Sequence, residues 1–336
     1  MADTHCLAID AMGGDFGPRV TVPATFDVLR AQPQLKVVLL GDEKQIFHQL
    51  PTDYDSFRQR AFIRHCDQIV TMDEQPSKAV RHKRNSSMWQ AIALVSKGEA
   101  TAAISAGNTG ALMALSLLQL GTLPGIDRPA ICTKIPTSNG YTYLLDMGAN
   151  LTCTPLQLYQ FALMANQVAQ SAGGIACPRI GLLNIGVEVG KGHSEIHQAA
   201  DLLEENPLIN YIGYVEGDRL FSGNADIVVC DGFSGNILLK TAEGAVTLFS
   251  NDLKKVLGKS ISGRIAGFLA RSSLRELRRK LSPSIYNGAS LLGLQGVVVK
   301  SHGGADRSSF GYAIEAARQG ASLNIPSLIG TTLVNA

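Results

Sequence analysis

The chain has 336 residues, 45% of them hydrophobic, and a formal net charge of +2 at pH 7. That length holds one large α/β unit or two domains, and that apolar share can build a sizeable core. The near-neutral balance gives no global attraction to nucleic acid, and no apolar run reaches the roughly 18 residues that a membrane span requires. The six cysteines (Cys6, Cys66, Cys132, Cys153, Cys177, Cys230) form no C-x-x-C pair and no metal-ligand spacing. They are expected to be reduced core thiols of a cytosolic protein. The start, MADTHCLAID, has no basic segment followed by an apolar core, so no secretory signal is expected.

The first strand is predicted at Cys6–Ala11, ending in Asp10-Ala11-Met12-Gly13-Gly14-Asp15. Pro18 then sits near a helix start. Further strands are predicted at Lys36–Leu40 and Phe62–His65. A polar stretch over 71–83 precedes Asn85-Ser86-Ser87, which suits the cap of a helix through Trp89, Ile92 and Val95. Ala102–Ser105 reads as a buried strand that breaks at Ala106-Gly107-Asn108-Thr109-Gly110, where an apolar helix begins. Asn139-Gly140, between the apolar runs Ala130–Ile135 and Thr142–Leu145, predicts a hairpin and hence a mixed sheet. The second hairpin strand ends in Asp146-Met147-Gly148-Ala149-Asn150, and Pro155 opens a long helix. Ile180–Ile185 is a strand followed by Lys191, and a helix is expected over Ser194–Glu205. Tyr211–Val215 and Ile227–Cys230 are the next strands. Val297–Lys300 is the last, ending in Ser301-His302-Gly303-Gly304 before a helix from Asp306 to Gln319.

Strands alternating with helices predict a three-layer α/β/α fold with a mixed, mostly parallel sheet. No Pro/Ser-rich linker divides the chain, so one domain over residues 1–336 is expected. In such folds ligands bind at the carboxyl ends of strands. The stretch Ala225–Gly244 concentrates what an anion site needs: Asp231, Ser234, Asn236 and glycines between a strand and a helix N-terminus. Gly107-Asn108-Thr109-Gly110 has the same character, although a capped glycine turn explains it equally well. Gly186 to Gly192 fails as a nucleotide loop, because only three residues separate Gly186 from Gly190 and Gly192 follows Lys191. There is no G-x-G-x-x-G after the first strand and no G-x-S-x-G, which disfavours a Rossmann dehydrogenase and an α/β-hydrolase. His302 at a strand end is a candidate proton or anion group.

Residues 252–282 stand apart, with nine basic side chains against two acidic, +7, which leaves −5 for the rest. Ile261, Ile265, Phe268 and Leu269 fall at helical spacing beside Arg271. A basic amphipathic helical segment of this kind, protruding from the domain, suits an anionic membrane or an acidic partner. The same pattern also fits a helical hairpin whose apolar face packs on the core or on a second subunit.

Together IDAMGGD (9–15), NSSM (85–88), ISAGNTGALM (104–113), GIDRPA (125–130), LLDMGAN (144–150), LLNIG (182–186), DGFSGN (231–236), LKTAEG (239–244), YNGASLLGL (286–294) and KSHGGAD (300–306) resemble the bacterial phosphate acyltransferases, the PlsX family, over nearly the whole chain. That resemblance implies an isocitrate/isopropylmalate dehydrogenase-like fold, also the type of phosphate acetyltransferase. It implies transfer of a long-chain fatty acyl group from acyl carrier protein to inorganic phosphate, giving acyl phosphate for phospholipid synthesis. It further implies a cytoplasmic homodimer held peripherally at the membrane surface, possible contact with a membrane acyltransferase, no cofactor or metal, and no nucleic-acid partner. Lys191 and Asp231 match positions regarded as catalytic. Phosphate or substrate binding is expected at Gly107, Asn108, Thr109, Asn150, Ser234, Asn236 and His302. Family members often carry a second acid after Glu188, where this chain has Val189. A short-chain acyl-coenzyme A phosphate acyltransferase and a non-catalytic membrane scaffold are the alternatives.

Overall fold

The computed structural model describes residues 5–188, 190–274, 276 and 286–335. Its strands are β1 (Cys6–Asp10), β2 (Lys36–Gly41), β3 (Ala61–His65), β4 (Ala102–Ser105), β5 (Ala130–Thr137), β6 (Gly140–Leu145), β7 (Arg179–Leu183), β8 (Asn210–Val215), β9 (Ile227–Val229), β10 (Ala289–Leu292) and β11 (Val297–Lys300). The helices are α1 (Pro18–Ala31), α2 (Glu43–Phe47), α3 (Pro76–His82), α4 (Ser87–Ser96), α5 (Thr109–Leu120), α6 (Pro155–Ser171), α7 (Ser194–Glu204), α8 (Gly232–Gly258), α9 (Ile261–Leu269), α10 (Arg307–Ser322) and α11 (Ile325–Asn335). Polar residues start them as the sequence implies: Ser86 caps α4, Asn108 caps α5, Asp231 caps α8 and Asp306 caps α10, each accepting a backbone N–H. Thr154 and Gln157 form a capping box at α6.

All strands join one sheet in the order β3-β2-β1-β4-β11-β10-β5-β6-β9-β7-β8. β10 is antiparallel to both β11 and β5, and β5 is antiparallel to β6; the other pairings are parallel. The sheet therefore contains two parallel blocks, β3-β2-β1-β4-β11 and β6-β9-β7-β8, that run in opposite directions. Their carboxyl ends form two separate groups, not the single row that a wholly parallel sheet would give. The reversal comes from the predicted β5–β6 hairpin and from β10.

Period-2 alternation sends successive side chains to opposite faces. On one face Ala8, Ala103, Val298, Leu144 and Val228 pack with Ile92 of α4 and Leu112 and Leu115 of α5. On the other, Leu7, Ile9 and Val299 pack under Phe26 of α1 and Phe310 of α10. Leu145, Ile180 and Val229 pack there under Phe161 of α6 and Leu203 of α7. Phe26, Phe161 and Phe310 are fully buried; truncating any one to alanine is expected to cost about 3–5 kcal/mol. Helices on both faces of the sheet make three layers. Of the six cysteines, Cys66, Cys132 and Cys230 are buried, but Cys177 is exposed, so it is not a core thiol.

The expected boundary at residue 252 falls inside α8, which runs unbroken through it. Only Gly232 and Gly235 of this long helix are buried. Leu248, Phe249 and Val256 face outward, and α9, which rests on α8, buries none of its residues. Arg275, Leu277, Arg278, Arg279, Lys280, Leu281 and Ser282 lie outside the described residues. No helix among the described residues is long and apolar enough to cross a membrane.

Candidate active site

The first group of strand ends gathers Asp10 from β1, Ser105–Thr109 from β4 and Lys300–Gly304 from β11. Apolar strands carry these polar residues to one edge because β1, β4 and β11 are parallel neighbours. The Gly107 amide donates to Ser105 Oγ (3.0 Å), which donates to Asp10 Oδ2 (2.6 Å). Met12 N donates to Asp10 Oδ1 (3.2 Å). Burial pushes the Asp10 carboxyl up, against the hydrogen bonds from Ser105 and Met12. Asn108 Oδ1 accepts from Ala111 N (2.9 Å), while Nδ2 donates to Met72 O (2.8 Å) and Glu74 O (3.0 Å). The Gly107 N–H and the Asn108 side chain are thus bonded within the protein and hold the loop between α5 and residues 72–74. Half-exposed Thr109 opens α5, where the first-turn amides and helix dipole favour an anion. Gly14 has φ +86°, and a Cβ there would lie 2.8 Å from Gly303 O, so only glycine lets these two loops meet.

His302 stands where α8 meets β11. Its backbone N–H donates to Asn287 Oδ1 (2.9 Å), and Gly304 N donates to its Nδ1 (3.1 Å). That assigns the neutral ring's proton to Nε2, which lies 4.0 Å from Glu243 Oε1. Burial, with Lys240 and Lys300 nearby, lowers its pKa despite Glu243 and Asp15. At 4.0 Å and with a lowered pKa, this contact is a neutral imidazole beside a carboxylate rather than an ion pair. Glu243 is instead paired with Lys240 (2.9 Å).

Lys300, absent from the expected site residues, is only 9% exposed. Its Nζ donates to Ala106 O (3.3 Å) and to Ser301 O. A lysine ending a run of three valines was the available signal.

The second group gathers Asp146–Asn150 from β6, Asp231–Asn236 from β9 and Lys191 beyond β7. The Asp146 carboxylate accepts from Ile131 N (2.9 Å), Ala149 N (3.1 Å) and Asn150 N (2.7 Å). Burial raises its pKa, opposed by those bonds. Asn150 Nδ2 donates to Pro129 O (2.8 Å) and Asp146 Oδ2 (3.0 Å), and its Oδ1 accepts from Arg128 Nε (3.1 Å). Asn150 is thus a buried hub whose hydrogen-bonding capacity serves the protein, and the exposed guanidinium it holds, Arg128, is an anion group that motif reading passed over. Asp231 Oδ1 accepts from Ser234 N (2.7 Å) as the α8 cap. A Cβ on Gly235 would fall 1.9 Å from Asp146 O, so glycine lets α8 start against that strand end. Half-buried Ser234 and exposed Asn236 lie in the first turn.

Lys191 is exposed; its backbone carbonyl accepts from Asn184 Nδ2 (2.8 Å). β7 and β9 are parallel neighbours, so Lys191 and Asp231 share one edge of the sheet. No hydrogen bond or ion pair among the described residues joins their side chains. Val189 lies outside the described residues. Of the apolar contact residues, Ile261, Ile265, Phe268 and Leu269 all point into solvent, Phe268 73% and Leu269 75% exposed, with Arg271 exposed beyond them.

Burial lifts the thiols of Cys66 to about 11 and of Cys132 and Cys153 to about 12. No serine hydroxyl among the described residues bonds to a histidine. Neither arrangement offers an activated protein nucleophile.

Oppositely running parallel blocks with anion-suited strand ends define an α/β fold shared with phosphotransacylases. A phosphotransacetylase from Streptococcus pyogenes superposes with a TM-score of 0.61 at 17% identity, covering 96% of this chain and 95% of that one. A branched-chain phosphotransacylase from Enterococcus faecalis V583 gives 0.60 at 17%, covering 94% and 99%. A 4-hydroxythreonine-4-phosphate dehydrogenase from Klebsiella pneumoniae shares the fold at 0.55 and 15% identity, covering 95% and 99%. A family profile described as "Fatty acid synthesis protein" matches residues 6–328. The phosphate acyltransferase of Halorhodospira halophila is 49% identical over 333 residues, 99% of this chain and 97% of that protein. That of Shewanella halifaxensis is 48% identical over 324 residues, 96% and 95%. The chain belongs to the phosphate acyltransferase family and is an acyltransferase.

Proposed function

We propose that this acyltransferase moves a long-chain fatty acyl group from acyl carrier protein to inorganic phosphate, giving acyl phosphate for phospholipid synthesis. A phosphate oxygen attacks the thioester carbonyl, a tetrahedral oxyanion forms, and the carbon–sulfur bond breaks. The proton originally on phosphate ends on the carrier thiol. The observation that carries this is the anion-suited character of the strand ends, where no serine hydroxyl among the described residues bonds to a histidine and burial raises the thiols of Cys66, Cys132 and Cys153: the nucleophile is the substrate phosphate. Catalysis then consists of holding a dianion beside a carbonyl and stabilising the developing oxyanion.

Lys191 neutralises phosphate and the oxyanion, and Asp231 orients the phosphate proton. Ser234, Asn236 and Arg128 supply further phosphate contacts in that group of strand ends, and Thr109 and His302, in the other group, hold the acyl donor; Gly107, Asn108 and Asn150 shape the loops that carry them. The enzyme works as a homodimer at the cytoplasmic membrane surface. The exposed apolar row of α9, flanked by basic residues, touches the membrane and brings product near a membrane acyltransferase. The same basic residues suit an acidic carrier protein.

Purified protein is to be assayed with palmitoyl carrier protein and with acetyl-coenzyme A, each with phosphate, trapping acyl phosphate with hydroxylamine. Preference for the long-chain carrier is expected. Strong preference for acetyl-coenzyme A overturns the donor assignment, and liposome binding without turnover on either donor favours a scaffold.

A further inference from the structure

We propose that Lys300 is a positioning residue for acyl transfer: its buried ammonium clamps the loop after β4 to the loop after β11, fixing Thr109 and His302 relative to each other. This holds for catalysis only if those loops border the reaction, as proposed above.

The geometry is specific. Ala106, whose carbonyl accepts from Lys300 Nζ (3.3 Å), leads directly into Gly107, Asn108 and Thr109. Ser301, whose carbonyl is the second acceptor, leads into His302. Other ties brace each loop. Ser301 N donates to Ser105 O (2.9 Å), Asp15 N donates to Gly303 O (2.9 Å), and Asn287 Nδ2 donates to Ser301 Oγ (2.8 Å). Lys300 is the cation that joins the carbonyl side of one loop to that of the other.

Packing alone does not call for a cation here. The rest of β11 is valine, and a methionine would fill the position without desolvating a charge. No carboxylate pairs with Lys300 among the described residues. Asp10 and Asp15 from the β1 side, Lys240 and Glu243 from α8, and His302 are the charged or titratable groups around it. β4, β10 and α5 contribute none. From α10, Asp306 is engaged by Ser309 and Arg307 by Asp27. Burial, with Lys240, lowers the Lys300 pKa to about 8, against Asp15 and Asp10. The clamp therefore weakens as pH rises through that value.

The test compares full-length wild type, Lys300→Met and Lys300→Arg by rate of acyl phosphate formation, thermal stability and hydrogen exchange, from neutral pH to about pH 9. Lys300→Met is expected to lose at least about tenfold in kcat at neutral pH while remaining at least as stable as wild type. Its Gly107 and His302 amides exchange faster than in wild type at neutral pH, and the difference closes toward high pH. Wild-type kcat falls above about pH 8; Lys300→Arg, which stays charged, lacks that limb. Wild-type turnover and exchange in Lys300→Met overturn the clamp. So does the same falling limb in wild type and Lys300→Arg. If wild type makes no acyl phosphate, the catalytic function fails, and exchange alone decides the clamp: faster loop exchange in Lys300→Met supports it and unchanged exchange overturns it. If Lys300→Met does not fold, the wild-type limb and its loss in Lys300→Arg decide the matter in the same way.

Discussion

His302 Nε2, beyond the end of β11, lies 4.0 Å from Glu243 Oε1 of α8. α8 starts at Asp231, among the strand ends of the second block, and carries Glu243 twelve residues onward, about 18 Å along the helix. There it reaches the end of β11 in the first block. One helix thus spans both groups of polar strand ends, with Asp231 capping its start and Glu243 beside His302.

Glu243 opposes the lowering of the His302 pKa, so Glu243→Gln is expected to lower it further. A histidine ring titration by NMR measures this. An unchanged or raised His302 pKa would show that the carboxylate does not act on the imidazole.

Between about pH 8 and 10.5 the folded chain holds fewer protons at Lys300 than the unfolded chain. Stability from this site therefore rises with pH across that window, by up to about 3 kcal/mol. Lys300→Met is expected to be more stable than wild type at neutral pH, with the gap closing at high pH. Urea unfolding at both ends of the window checks this; a constant gap contradicts it.

Lys191→Ala and Asp231→Ala are each expected to lower turnover at least about tenfold, or 1.4 kcal/mol of transition-state stabilisation. Asp231→Ala also loses the α8 cap, at about 1 kcal/mol. Asp231→Asn keeps a cap acceptor and removes the charge. Steady-state kinetics of the Asn variant therefore separate the roles: full activity would leave Asp231 a cap alone.

Asn150→Ala is expected to destabilise the fold by about 1–3 kcal/mol, because it removes the Nδ2 bonds to buried Asp146 and to Pro129 O. Asn236→Ala, at an exposed site, is expected to leave stability unchanged and to weaken phosphate use. Denaturant midpoints and phosphate KM values test the pair; the reverse pattern would exchange their roles.

Changing Ile265 and Phe268 together to Asp is expected to release the protein from anionic liposomes while turnover in solution stays near normal. Each large apolar side chain contributes about 1.5–3 kcal/mol when buried, and each basic residue near the surface about 1 kcal/mol. Sedimentation with liposomes and the oligomeric state are the measurements. Continued liposome binding with loss of a dimer would make this face a subunit contact.

Many strand ends were legible because the apolar run stops at or near Asp, Gly or Asn, and the Asn139-Gly140 hairpin announced a mixed sheet. β10 was not: Ala289–Leu292 is four residues long and exists through pairing with β5, more than 150 residues earlier. The direction of each block was equally hidden, so polar ends that look alike in sequence fall into two groups. Asn108 and Asn150 show a further limit. Their residue type suits an anion, but the loops that place them also consume their hydrogen bonds. Lys300 shows the converse, since its burial depends on how β4 and β11 lie side by side.

The most direct measurement is the stoichiometry of thiol release and hydroxylamine-trappable acyl phosphate from palmitoyl carrier protein, with and without phosphate. One acyl phosphate per carrier thiol, formed only when phosphate is present, is the expected result. Thiol release without phosphate, or release with phosphate but no acyl phosphate, would contradict direct attack of phosphate on the thioester.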